Sequence, residues 1–168
     1  MSVAPEVSPA SLLDLLLEQQ FDFFTGVPDS TLTPLMHAIE SRSEVRYVPA
    51  VSENVAVGLA AGAYLGGARP AVLMQNTGLA LAAHPLTTLT SICRIPLLLV
   101  IGWRGNDGKD SPEHDAIGPA TMPLLEALRV PFFVPDADTL PNELADAVAT
   151  MDTQRCVAAV LIRPKVLS

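Results

Sequence analysis

The chain has 168 residues, of which 49% are hydrophobic and 17% are charged, and its formal net charge is −8. This length suits one α/β domain, residues 1–168, that buries a substantial core. An acidic surface repels phosphate backbones, so the charge argues against nucleic acid as a partner. The mean hydropathy of +0.37 favours an oligomer, although a core rich in Ala and Leu would also raise it.

Cysteine usage and apolar runs restrict the class of protein further. Cys93 and Cys156 lie far apart and form neither a metal-binding motif nor a disulfide framework. No signal-peptide pattern opens the chain, so we expect a cytoplasmic location. The longest apolar runs, such as residues 95–102, are too short to span a bilayer.

Helix and strand patterns alternate along the chain. Short β-rich or aliphatic runs predict six strands, in chain order at residues 21–25, 45–51, 70–75, 96–102, 131–134 and 156–162. Helical periodicity predicts a helix from residue 12 and others at residues 31–41, 54–67, 79–93, 121–128 and 140–151. This order predicts an α/β fold: a doubly wound, mostly parallel six-stranded sheet with helices on both faces and right-handed crossovers.

Local signals refine three of these elements. Ser11 is a plausible cap for the first helix, and Pro34 fits the first turn of the second. Pro85 should kink or interrupt the helix at residues 79–93. Residues 103–119 are polar and predict a long loop.

Ligands of doubly wound sheets bind beyond the carboxyl ends of the strands. Four segments follow predicted strands and should gather at that edge, namely residues 26–30, 52–54, 75–79 and 103–115. Candidate functional residues are therefore sought in these segments.

Glu53 is the first candidate, because almost no other charge lies between residues 48 and 64. A carboxylate in the first turn of a helix is stabilised by the helix dipole, which is a sufficient structural reason for it. Partly buried in apolar surroundings, the same carboxyl could instead share a proton with a ligand nitrogen.

His114 and Asp29 are the next candidates, and each has a structural alternative. His114 is either a solvated loop residue or a proton donor near neutral pH. Asp29 is either the cap of the following helix, a role that Ser30 would also suit, or a site residue. His37 and His84 fall in predicted helices and are expected to be structural or exposed.

Motifs for other chemistries are missing or weak. The sequence contains no Walker A loop, no GxGxxG, no HExxH and no nucleophile elbow. The spaced glycines of residues 102–108 open a loop and make only a weak phosphate-binding candidate. Arg104 and Lys109 of this loop could hold an anion or could simply be solvated.

Several motifs together, in their order and spacing, resemble the N-terminal region of phosphonopyruvate decarboxylases and the α subunit of sulfopyruvate decarboxylase. The resemblance covers residues 11–134. The motifs are Gly26-Val-Pro-Asp-Ser30, Tyr47-Val-Pro-Ala-x-x-Glu53, Gly58-Leu-Ala-Ala-Gly62, Met74-Gln-Asn-Thr-Gly78-Leu, Arg94-Ile-Pro-Leu and Trp103-Arg-Gly.

The resemblance implies a thiamine diphosphate (ThDP) enzyme that uses Mg²⁺ to decarboxylate a small anionic 2-oxo acid. It implies that Glu53 bonds N1′ of the cofactor's aminopyrimidine, and that His114 and Asp29 are catalytic. The remaining cofactor contacts implied are Gly26, Val27, Pro28, Asn76, Thr77 and Gly78. The implied substrate contacts are Ser30, Arg104 and His114, with Arg104 preferred for an anionic tail.

Two further expectations follow from the resemblance. Phosphonopyruvate decarboxylases tend to carry Cys where this chain has Asp29, which favours sulfopyruvate as the substrate. The Gly-Asp-Gly motif that holds Mg²⁺ and diphosphate in such enzymes has no counterpart here. We therefore expect no metal ligand on this chain and a β subunit that supplies them, in a hetero-oligomer with at least two copies of each chain.

Two other functions stay open at this point. A domain of this fold could bind a small ligand without catalysis, since fold does not fix function. A nicotinamide dehydrogenase domain is disfavoured, because the glycine fingerprint is missing.

Overall fold

The computed structural model of the chain describes residues 7–164 and 166–167. Six strands form one sheet in the order β2-β1-β3-β4-β6-β5. The strands are β1 (Phe23–Gly26), β2 (Arg46–Pro49), β3 (Pro70–Gln75), β4 (Leu97–Gly102), β5 (Phe132–Phe133) and β6 (Val157–Ile162). Every pair is parallel, because every connection passes through a helix. The predicted α/β sheet is confirmed, and it is parallel throughout rather than mostly parallel.

The helices cover both faces of this sheet. They are α1 (Pro9–Glu18), α2 (Thr33–Glu40), α3 (Glu53–Leu65), α4 (Leu79–Pro85), α5 (Ser91–Cys93), α6 (Ile117–Ala127) and α7 (Leu140–Gln154). Buried residues of α1, α2 and α7 pack on one face, and those of α3, α4 and α6 pack on the other. Short 3-10 turns at Asn76–Gly78 and Pro112–His114 precede α4 and α6.

Strand β3 shows why these strands are aliphatic throughout. Ala71 and Leu73 belong to the core beneath α1, α2 and α7, whereas Val72 and Met74 belong to the core beneath α3, α4 and α6. Successive side chains of a strand point to opposite faces. Because both faces are buried, both sets of positions must be apolar.

Three local predictions needed correction or refinement. Ser8, and not Ser11, caps α1: the Ser11 amide donates to Ser8 Oγ at 3.1 Å, with Pro9 at the first helical position. Helix α6 begins at Ile117, four residues earlier than predicted, because Pro119 falls in the first turn, where its missing N–H costs nothing. The predicted interruption at Pro85 takes the form of a π-helical turn at Leu86–Thr90.

The winding direction of the sheet reverses between β1 and β3. From β1 the chain crosses to β2 at one side, and from β3 it crosses to β4 at the other. Such a switch point leaves a crevice at the carboxyl ends of the two strands. At the end of β1, a Cβ on Gly26 would lie 2.1 Å from the Leu73 carbonyl oxygen, so only glycine allows the two strands to approach this closely.

Within the part of the chain that the structure describes, no helix combines the length and apolarity needed to cross a membrane. The cytoplasmic location expected from the sequence stays a prediction.

Candidate active site

The segments after β1, β3 and β4 meet at the switch point through side-chain contacts. They bring together Asp29 and Ser30 from the first segment, Gln75 and Asn76 from the second, and Arg104, Asp110 and His114 from the third. The segment at residues 52–54 joins them through Glu53, which contacts Gly78. The four segments predicted to share one edge are therefore neighbours.

Glu53 is the first residue of α3 and is only 9% exposed. A Cβ on Gly78 would lie 2.2 Å from its Cδ and 2.3 Å from its Oε1, so the carboxyl occupies the space that the glycine leaves free. Among the described residues the carboxylate has no hydrogen-bond partner, and Ser52 makes no side-chain cap. Glu53 is thus a nearly buried carboxylate, at the positive end of a helix, whose acceptor capacity is unused.

Asp29 is 4% exposed; Leu32, and not Asp29, is the N-cap of α2, and the Asp29 carboxyl bonds the turn just before that helix. Its Oδ2 accepts the Leu32 N–H at 3.1 Å, while Oδ1 is buried and has no partner in the described chain. Oδ2 also lies 2.3 Å from where a Cβ on Gly102 would be, so the glycine at the end of β4 makes room for this carboxyl. Burial raises the pKa of the Asp29 carboxyl, against the lowering effect of its hydrogen bonds and of Arg104.

Arg104 is held by two partners. Its Nε and Nη2 form a fork on the Asp110 carboxylate at 2.7 and 2.6 Å, and its Nη1 donates to Ser30 Oγ at 2.6 Å. These hydrogen bonds hold the pKa of the Asp110 carboxyl well below its usual range. Arg104 therefore has its bidentate face filled by this chain, and only Nη1 points towards an exposed hydroxyl.

His114 lies in the 3-10 turn before α6 and is buried, contrary to the alternative of a solvated loop residue. Its Nε2 is 3.3 Å from Gln75 Nε2, and its Nδ1 is 3.3 Å from Asp110 Oδ2. The ring is thus placed between the end of β3 and the loop after β4.

Asn76 holds that loop against β3. Its Nδ2 donates to the Arg104 carbonyl at 3.0 Å and to Thr121 Oγ1 at 2.8 Å, and its Oδ1 accepts the Arg104 N–H at 3.1 Å. The Asn76 side chain is fully buried, and all of its bonds are made within the chain. Asn76 therefore fixes the position of Arg104 relative to the end of β3.

The loop of spaced glycines binds a carboxylate of its own chain. Gly105 has a φ of +71°, and a Cβ there would lie 2.3 Å from the His114 carbonyl oxygen. Its N–H donates to Asp110 Oδ2 at 2.9 Å. Residues 102–108 therefore position Asp110 and His114.

The other residues predicted to contact the cofactor or the substrate lie at the border of this cluster of side chains. Val27 is half-buried, and its N–H donates to the Leu73 carbonyl at 3.2 Å, whereas Pro28 is exposed. Thr77 is exposed and its Oγ1 accepts from Gln75 Nε2 at 2.8 Å.

A cavity of about 880 Å³ lies beside Ser30, Arg104 and Lys109. His37 lies in α2 and His84 lies in α4, as the sequence predicted.

Sequence reasoning did not single out Asp110 and Gln75. Asp110 stands four residues before His114, a spacing that could have suggested a pair if the segment had been expected to turn. Gln75 lies in a segment that was named, but its contact with His114 depends on the loop's path. Among the described residues, no group of three or more His, Cys, Asp or Glu side chains could hold a metal ion.

Residues 9–128 match the family model described as "Thiamine pyrophosphate enzyme, N-terminal TPP binding domain". This match covers more than half of the chain, over the same strands and loops that build the crevice and place Glu53, so the chain belongs to the thiamine pyrophosphate enzyme family and carries its N-terminal cofactor-binding domain. The family membership that the sequence motifs indicated is confirmed.

Curated relatives of the chain are decarboxylases by name. This chain is 32% identical to sulfopyruvate decarboxylase subunit alpha of Methanococcus maripaludis over 120 residues. The matched residues make up 71% of this chain and 72% of that subunit. The corresponding subunit of Methanothermobacter thermautotrophicus is 31% identical over 83% of this chain and 86% of its own length. Phosphonopyruvate decarboxylase of Streptomyces viridochromogenes is 42% identical over 60% of this chain, which matches only 26% of that longer protein.

Proposed function

We propose that this chain is the α subunit of a two-chain, ThDP-dependent decarboxylase that acts on a short 2-oxo acid with an anionic tail. The observation that carries the proposal is the Glu53 carboxylate, which stands at the start of α3, beside Gly78, with its acceptor capacity unused within the described chain. A carboxyl in this setting can bond and share a proton with a ring nitrogen.

The residues present fit the pyrimidine half of ThDP. Glu53 would bond N1′, and residues 26–28 and 77–78 would flank the ring from the ends of β1 and β3, with the buried Asn76 holding the loop behind them. The absent Cβ of Gly78 leaves room for the carboxyl, and Gly26 keeps the two strands close together. When bound, ThDP supplies the electron sink that accepts the electron pair left as CO₂ departs.

Three side chains are proposed to meet the substrate. Ser30 Oγ and Arg104 Nη1 already bond each other beside the cavity, and that bond can be exchanged for bonds to an oxyanion. His114 is the proton carrier, since it is buried between Gln75 and Asp110 and near Asp29. Asp29, whose pKa is raised by burial, is a second group able to hold a proton at this edge.

The tail is proposed to be a sulfonate, which makes 3-sulfopyruvate the favoured substrate. The support is the Asp at position 29, together with relatives named sulfopyruvate decarboxylase subunit alpha whose length this chain largely covers. Phosphonopyruvate is the second candidate, because relatives of that name reach 42% identity over the shared part.

The partner is proposed to be a β subunit that carries the Mg²⁺ and diphosphate ligands and covers the outer face of α3, α4 and α5. All the exposed large apolar side chains among the described residues fall between positions 51 and 92, namely Val51, Val55, Leu59, Leu65, Leu81 and Ile92. Helices α3 and α4 pack against each other, so most of these side chains share one surface. The first of these residues, Val51, stands two positions before Glu53. A partner bound to this surface would therefore also cover the cofactor site. We propose at least two copies of each chain in the assembly.

The proposal is tested by reconstitution. This chain is co-produced with the candidate β chain, and CO₂ release from 3-sulfopyruvate and from phosphonopyruvate is measured with ThDP and Mg²⁺, with each chain alone as the control. Activity that requires both chains supports the proposal, and the ratio of kcat/KM values identifies the tail. A stable two-chain complex that binds no ThDP would leave a non-catalytic ligand-binding module as the better account.

A further inference from the structure

We propose that Asp110 is a positioning residue that fixes the proton of the neutral His114 ring on Nδ1, which leaves Nε2, on the side of Gln75, as the nitrogen that accepts a proton. The proposal deepens the function proposed above, and rests on it for the use made of Nε2. The arrangement of the ring itself is observable without any activity.

The first observation concerns Nδ1. This atom is buried and makes no hydrogen bond within the described residues, and Asp110 Oδ2 lies 3.3 Å away. A buried N–H requires an acceptor, and the Asp110 carboxylate is an acceptor within reach of it. A small rotation of the ring would turn this contact into a charge-assisted hydrogen bond.

The second observation concerns Nε2. It lies 3.3 Å from Gln75 Nε2, which also donates to Thr77 Oγ1 at 2.8 Å. An amide nitrogen can only donate, so Nε2 must accept, and the proton of a neutral ring then resides on Nδ1. Both contacts of the ring favour the same tautomer.

The third observation concerns the rigidity of Asp110. Four N–H groups converge on its carboxylate, two from Arg104 at 2.7 and 2.6 Å and the amides of Gly105 and Ser111 at 2.9 and 2.8 Å. The Asp110 side chain is 15% exposed. Asp110 therefore presents a fixed negative charge to the ring.

The same contacts change the assignment of Arg104. Its forked face, which the sequence suggested for the substrate's tail, is closed by Asp110, so its main task is to orient the carboxylate that orients His114. Other charged or polar groups near the ring are Gln75 from β3 and Asp29 and Arg104 at the ends of β1 and β4. None of these supplies an acceptor at Nδ1 in the described chain.

The tautomer is read by ¹⁵N–¹H NMR of the assembled complex, with ¹⁵N-histidine in this chain only. The chain has three histidines, so a His114→Gln sample assigns the resonance. We expect Nδ1–H for His114 in the wild type, and a ratio of Nδ1–H to Nε2–H at least about tenfold lower in Asp110→Asn. The exposed neighbouring carboxylate is neutralised in the control, Asp115→Asn, which should leave the ratio unchanged. A wild-type Nε2–H tautomer, or no change in Asp110→Asn, would overturn the proposal.

A double-mutant cycle separates positioning from a structural effect. Asp110→Asn should lower kcat at least tenfold with KM within about threefold, and it should cost little more when His114 is already Gln. Equal losses in both backgrounds would mean that Asp110 does not act through His114. If the expected tautomers are seen in a complex that decarboxylates neither substrate, the positioning stands and the proposed function fails.

Discussion

The carboxyl group of Glu53 fills the space beside Gly78 that a side chain on residue 78 would take. The two residues come from different crossovers, at the start of α3 and in the 3-10 turn after β3. A Cβ on residue 78 would lie 2.2 to 2.3 Å from Cδ, Cγ and Oε1 of Glu53. The glycine thus determines where the carboxylate can stand.

Replacement of that glycine tests the relationship. In Gly78→Ala the new methyl group must displace the end of the flexible Glu53 side chain, which costs little folding energy but moves the carboxylate. We expect kcat/KM of the reconstituted enzyme to fall about 100-fold, and the free energy of unfolding to change by no more than about 1 kcal/mol. Steady-state kinetics and urea unfolding measure the two effects.

The matched control for folding is Gly62→Ala, because no atom lies within 4 Å of the added Cβ at that helical position. An unfolding free energy for Gly78→Ala far below that of Gly62→Ala would show that the backbone, and not Glu53, gives way. Wild-type activity in Gly78→Ala would show that the position of the carboxylate does not matter.

Asp29 should make the fold less stable as pH rises. Burial raises the pKa of the Asp29 carboxyl in the folded state above its ordinary value, so the native state binds more protons than the unfolded state between those two pKa values. Stability is therefore lost as pH increases through that window, and the loss persists at neutral pH. Asp29→Asn keeps an acceptor for the Leu32 amide and removes the buried charge, so at pH 7 we expect it to be at least as stable as the wild type.

Thermal unfolding from pH 4 to pH 8 measures this effect, together with decarboxylase activity at pH 7. The melting temperature of Asp29→Asn minus that of the wild type should increase with pH. At pH 7 the decarboxylase activity of Asp29→Asn should be lower than that of the wild type. A difference that stays constant or shrinks as pH rises would mean that the Asp29 carboxylate is not penalised in the fold.

We expect the β subunit to bind the apolar outer face of α3. Val55 and Leu59 are one helical turn apart on α3, at 39% and 37% exposure. A charge there would be buried in the assembly, so Leu59→Asp should weaken association with the β chain at least tenfold without unfolding this chain.

Size-exclusion chromatography with light scattering gives the assembly state, and circular dichroism checks the fold. Ala145→Asp, which adds the same charge at an exposed position of α7, is the control and should assemble normally. If both variants assemble like the wild type, the partner binds elsewhere.

Most of the fold could be predicted from the sequence, because the strands are continuous aliphatic runs and the helices have regular apolar spacing. Element boundaries were less accurate where prolines decide them. Pro9 and Pro119 both fall in the first turns of helices, which therefore begin earlier than the apolar pattern suggested. The parallel pairing followed from the alternation of helices and strands, but the strand order did not.

The site could be predicted in part. Glu53, Asp29, Arg104 and His114 were identified from their places after strands, and the structure gathers the segments that carry them. The partners of Arg104 and His114 could not be predicted, since the fork to Asp110 depends on the tight path of residues 104–110 and on a positive φ at Gly105. A sequence shows that a loop is polar, but not which of its charges pair with each other.

We propose that the Glu53 carboxylate activates the cofactor of a two-chain decarboxylase. The most direct test is CO₂ release by the reconstituted complex with Glu53→Gln, beside ThDP binding by calorimetry and the control Glu126→Gln on the exposed side of α6. We expect Glu53→Gln to lose at least about 100-fold in kcat with ThDP still bound, and the control to have normal activity. Activity of Glu53→Gln within about threefold of the wild type would contradict it.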